Sequence, residues 1–178
     1  MHVRSDNADV CKRCKRLPGT KFLRTAIRSH EQRLIWPGWK PLDMTQQEEL
    51  LRAIFGLEEM SKHQYFDDAF EDMHLRVTAL HIKKLHEFQE TKCAVCQILE
   101  SDLVGKRPVL FLDHDHESNE IRGFLCHQCN LALGWYEKDK LRFELHSGIF
   151  DKYLTDTPVS RVNSVTDWRS EIRNWYHR

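Results

Sequence analysis

No run of apolar residues in this 178-residue chain approaches the roughly 20 that a membrane-spanning helix needs. Its first residues, Met1 to Asp6, lack an apolar stretch of the signal-peptide kind. An intracellular protein with no membrane partner is therefore expected. Internal repeats are absent apart from three cysteine pairs, which removes repeat architectures. Net charge is absent too: 27 Lys and Arg stand against 27 Asp and Glu. A neutral total argues against a surface coated throughout for nucleic acid.

That neutrality hides an asymmetry. Residues 1–40 hold ten Lys/Arg against three Asp/Glu, whereas 41–92 hold six against eleven and 93–154 seven against ten. A basic leading segment on an acidic body keeps a polyanionic partner in play, with Lys12, Arg13, Lys15 and Arg16 as candidate contacts.

The six cysteines fall as Cys11/Cys14, Cys93/Cys96 and Cys126/Cys129, each with two residues between. Without a secretion signal, this spacing favours metal over disulfides. Cys93, Cys96, Cys126 and Cys129 make two knuckles, which together close one tetrahedral zinc site. With no open position, such a site is structural. It supplements the small core of a module of about sixty residues. Cys11 and Cys14 could be half of a second site, with His2 and His30 or across a homodimer, or two exposed thiols in a basic arm.

Between the punctuation of Pro18-Gly19 and Trp36-Pro37-Gly38-Trp39, a short helix is expected over 22–34. Thr45 to Glu48 reads as a capping box opening a helix that ends near Glu59. Phe66, Phe70, Met73, Val77, Leu80, Leu85 and Phe88 recur at mostly helical steps and predict a longer helix ending before Cys93. Its histidines, His74, His81 and His86, are surface or core residues on this pattern rather than ligands. Val109 to Leu112 predicts a strand, Glu117-Ser118-Asn119 a turn, and Glu120 to Leu125 the returning strand. A helical stretch should open at Asn130 and stop or bend at Gly134, with another helix over about 138–153. Beyond Pro158 the chain reads as a polar tail until Trp168, Ile172 and Trp175, which share a helical face.

Asp113-His114-Asp115-His116 lies where the first strand ends. Alternation sends Asp113 and Asp115 to one side and His114 and His116 to the other. Asn130 follows the last cysteine directly, so the knuckle fixes it relative to the hairpin. Carboxylate and amide oxygens converging beside an imidazole can hold a hard cation together with a general base. Magnesium or manganese suits such oxygen donors.

These residues resemble a known family. Cys93-x-x-Cys96, Leu112-Asp113-His114-Asp115-His116-Glu117, Ile121-Arg122-Gly123-Phe124-Leu125-Cys126-x-x-Cys129-Asn130 and Gly134 look like the phage recombination endonuclease VII family, within the HNH or His-Me finger nucleases. The resemblance covers roughly 85–154. It implies that Asp113 and Asn130 bind the catalytic magnesium. His114 would be the general base on water, and His116 would contact the scissile phosphate. Asp115 would orient a histidine or hold the turn, and Arg122 would either touch DNA or buttress the hairpin. The chain departs from the family in its hairpin turn, where Ser118-Asn119 stands in place of glycine. It departs again at Leu133, where some members carry a polar residue. No junction-binding C-terminal region is recognisable.

The expectation is thus an α+β chain: a zinc-stabilised ββα-metal (His-Me finger) nuclease module with a mainly helical N-terminal extension. Its segments are a basic irregular arm (1–44), a helical extension (45–92), a four-cysteine-zinc nuclease domain (93–154) and a C-terminal tail (155–178). The expected activity is magnesium-dependent cleavage of DNA, on branched DNA or as a nicking, restriction or homing enzyme. A non-catalytic zinc module that binds nucleic acid is the alternative from another class, and it has no need of Asp113, His114 and Asn130 together.

Overall fold

The computed structural model describes residues 20–37, 66–105, 108–141, 147–168, 170, 171 and 174. It combines helices with one small two-stranded sheet. Helix α1 spans Thr20–Glu31 and α2 Phe66–Phe88. A single 3-10 turn at Glu100–Asp102 leads to strand β1, Phe111–His114, and strand β2, Ile121–Leu125. Helices α3 (His127–Lys138), α4 (Ser147–Thr155) and α5 (Pro158–Val165) follow. Among the described residues no helix is long and apolar enough to cross a membrane.

The long helix lies where its apolar steps put it, burying Val77, Leu80, Ile82 and Leu85. The hairpin starts two residues later than the apolar run suggested. Val109 is exposed, and the ladder pairs Phe111 with Leu125 and Asp113 with Gly123 before a bulge at Asp113/His114. β2 has all five residues buried. Its edge is satisfied by a side chain: Gln89 Nε2 donates to the Phe124 carbonyl (3.0 Å), and Phe124 N donates to Gln89 Oε1 (2.8 Å). A buried backbone edge needs such partners.

Three expectations are corrected. Helix α3 begins at His127, three residues ahead of Asn130, and runs straight through Gly134. Leu133 and Tyr136, buried on either side of that glycine, outweigh its modest helix cost. No helix spans 138–153 as a whole, since Asp139 and Lys140 are non-helical and α4 starts at Ser147. The tail expected beyond Pro158 is the helix α5, whose N-cap Thr157 accepts from Ser160 N and whose first position is Pro158. A capping residue followed by proline is a helix-start signal.

The segment 20–37 is no detached arm either. α1 packs on α2, and Ala26 and Trp36 belong to the core. Ile35 bridges Glu120, receiving from Ile121 N and donating to the Asn119 carbonyl, both at 2.8 Å. One core therefore joins α1, α2, the hairpin, α3, α4 and α5 across the segment boundaries read from the sequence. The helix expected over about 45–59, the residues Lys12, Arg13, Lys15 and Arg16, the pair Cys11/Cys14, and Ile172 and Trp175 lie outside the described residues.

Candidate metal and catalytic site

The first knuckle is shaped by its own backbone. Cys93 N donates to the Ile98 carbonyl and Gln97 N to the Cys93 carbonyl, while Ala94 N ties the turn to Phe124 on β2. Gln97 takes a positive φ of 61° to close it. The second knuckle is the start of α3, with Cys126 as N-cap and Cys129 in the first turn. The fold brings all four sulfurs within 4.8 Å of one another. Zinc–thiolate bonds of about 2.3 Å at tetrahedral corners imply sulfur separations of about 3.8 Å. Cys96 Sγ and Cys126 Sγ are 3.7 Å apart.

Ionisation of the cluster points the same way. Cys93 is held down to about 4, chiefly by a bond from Cys129, with backbone groups of Cys126, Cys96 and Val95 assisting against burial. Cys129 is driven far up, first by that thiolate and then by burial. The group can hold a zinc ion, which would make all four thiolates compatible.

On the hairpin the alternation expected of an extended chain is seen. His114 and His116 lie side by side, ring centroids 4.9 Å apart. Asp113 and Asp115 both turn to Arg122. Asp113 is 6% exposed and receives Arg122 Nε on Oδ2 (2.8 Å), Arg122 Nη2 on Oδ1 (3.1 Å) and the Tyr153 hydroxyl on Oδ2 (2.9 Å). Arg122 also donates to both oxygens of Glu137 on α3. Burial would depress the guanidinium, yet its bonds to Glu137 and Asp113 outweigh that and raise it. Arg122, with 7% side-chain exposure, thus ties β1 to α3 through Asp113 and Glu137.

Asp115 holds the turn. Its Oδ1 accepts from Ser118 N and Glu117 N, both at 2.8 Å, and these bonds, that from Ser118 foremost, hold its carboxyl below the ordinary range although burial opposes them. Asn119 fills the left-handed position at φ 60°, as a residue replacing glycine must. His114 is pushed below the ordinary histidine range, first by burial and then by neighbouring His116. Asn130 is half-buried in the first turn of α3, two turns ahead of Glu137 on the same helix face. Leu133, 1% exposed, is core.

Glu137 and Tyr153 were not found by the sequence reading. The seven-residue step from Asn130 to Glu137 is a usable signal, since it puts both on one face of a helix. Nothing local marks Tyr153, which reaches Asp113 from forty residues away.

These features define a class first: a hairpin with paired histidines and a buried aspartate, pinned to a helix by four thiols that can share one metal. Comparison with known proteins narrows it. Residues 69–153 match the family described as recombination endonuclease VII. The Gene 59 protein of Mycobacterium phage L5 is 42% identical over 80 residues, 44% of this chain and 44% of that protein. The Gene 59 protein of Mycobacterium phage D29 is 42% identical over 60 residues, 33% of this chain and 34% of that protein. The chain thus matches less than half the length of either relative. No solved structure matches it.

Proposed function

We propose that the protein is a magnesium- or manganese-dependent DNA endonuclease in which β1, β2 and α3 form a ββα-metal module of the HNH type and the four cysteines bind a structural zinc. The observation that carries this reading is the His114–His116 pair beside Asp113, on a hairpin tied to α3 within a segment of endonuclease family.

The donors fit a hard cation in kind. Asp113 offers carboxylate oxygen, and Asn130 offers amide oxygen from the helix face that Glu137 shows to be turned toward the hairpin. By count, one lone-pair position on Asp113 Oδ1 stays open. When bound there, the divalent ion supplies charge neutralisation at the phosphate and at the leaving oxygen. The protein's own part is proton handling and placement. His114 is kept neutral by its surroundings, so an imidazole nitrogen can accept a proton from the attacking water. His116, exposed beside it, is set to donate to a phosphate oxygen. Lys12, Arg13, Lys15 and Arg16 supply phosphate contacts in this reading.

The test is cleavage of a panel of four-way junction, mismatched duplex, plain duplex and single strand, with and without magnesium. Wild-type protein should cut at least one substrate only when the metal is added, and His114→Ala should reduce the rate at least about a hundredfold with zinc content unchanged. Wild-type rates from His114→Ala would remove His114 as the base. The preferred substrate separates junction resolution from nicking or restriction.

A further inference from the structure

We infer that Arg122, Tyr153 and Glu137 are a positioning set that fixes which oxygen of Asp113 faces a divalent cation. The inference rests on the metal-site reading above and assigns roles to residues that reading leaves unused.

A carboxylate has about four acceptor positions. On Asp113, Oδ2 is filled by Arg122 Nε and the Tyr153 hydroxyl, and Oδ1 is half filled by Arg122 Nη2. The two parallel bonds of the guanidinium fork prevent rotation of the carboxylate plane. Only Oδ1 can then offer a position, in a single direction. The fork is itself fixed on its far side by Glu137 of α3, two turns beyond Asn130. One guanidinium therefore sets the hairpin oxygen in register with the helix that carries the amide.

Charge and sterics agree. Asp113, Glu137 and, at 3.8 Å, Asp115 surround one guanidinium. Gly123 pairs with Asp113 across the ladder. A Cβ there would lie 2.9 Å from Pro158 Cγ and 3.1 Å from the Tyr153 hydroxyl. The missing side chain is what lets α4 bring that hydroxyl over the strand.

The zinc-loaded full chain provides the test. Manganese binding is titrated through loss of the free-ion EPR signal, in wild type, Tyr153→Phe and Glu137→Gln, alongside zinc content, thermal unfolding and the magnesium concentration giving half-maximal cleavage. Groups that orient a metal's direct ligands typically change affinity tenfold or more. Tyr153→Phe should weaken manganese binding about tenfold and raise the half-saturating magnesium concentration in parallel. Glu137→Gln, on a partly exposed side chain, should move both in the same direction by less. Manganese binding equal to wild type in both variants overturns the inference, even if their unfolding temperatures fall, because a purely structural ion pair predicts that pattern. Weakened binding in the variants with no DNA cut by any of the three proteins supports the positioning set and removes the endonuclease reading instead.

Discussion

Glu100 shows how much one carboxylate can connect. Its Oε1 accepts from Lys21 of α1 (2.7 Å) and from Leu110 N ahead of β1 (3.1 Å), and its Oε2 meets His86 Nε2 of α2 at 2.9 Å. Burial would raise this carboxyl, but those partners outweigh it and hold it below the ordinary range. A depressed folded-state value means stability that is present above the unfolded value and lost as pH falls through the folded one. Acid should therefore weaken the fold progressively as pH falls through and below the ordinary carboxylate range. Glu100→Gln should cost about 1–2 kcal/mol at neutral pH and flatten that acid limb, read as melting temperature against pH. Asn119 gives a second test at this scale. At φ 60°, Asn119→Val should cost about 1–2 kcal/mol in urea unfolding, whereas Asn119→Gly should be nearly neutral. The turn was legible because it depends on a local torsion. The role of Glu100 was not, because its partners lie 79, 14 and 10 residues away.

Among the elements, α3 depends most on chemistry outside itself. Its N-cap is Cys126, which makes no side-chain capping bond, so the first turn relies on whatever the thiols bind. Stripping zinc with a strong chelator should strongly reduce hydrogen-exchange protection in that turn and unfold the module, and Cys126→Ser should do the same. Protection that survives zinc removal would contradict a structural metal. Helix α5 has an ordinary start, and Thr157→Ala should cost about 1 kcal/mol of unfolding free energy. The strands, α2 and the cysteine knuckles were readable from period and spacing, which act within a few residues. Where α3 begins and ends was misread because burial of Leu133 and Tyr136 overrides the local signal of Gly134.

For the whole molecule, the leading segment changes meaning. Its surplus of Lys and Arg suggests an appendage for DNA, yet Ala26 is fully buried and Trp36 is 6% exposed in the common core. Deleting residues 1–37 should therefore unfold the protein, and Trp36→Ala alone should cost about 3–5 kcal/mol. Deleting only 1–19, which removes Lys12, Arg13, Lys15 and Arg16, should weaken DNA binding and flatten its salt dependence. An unchanged salt slope would show that those charges do not contact phosphate. Charge composition revealed the basic bias of this segment. It could not reveal a packing partner more than forty residues away on α2.

That partner is part of a closure with a consequence in time. Trp36 stacks on His81, Trp168 meets both rings edge-on, and Asn163 Oδ1 accepts from both indole nitrogens. The Trp36–Asn163 bond spans 127 positions. At ribosomal rates of about 5–20 residues per second, the first indole waits roughly 6–25 s for its acceptor to be synthesised. During that interval Trp36 is an apolar surface without its final cover, so this protein should be most exposed to chaperones and proteases while still attached to the ribosome.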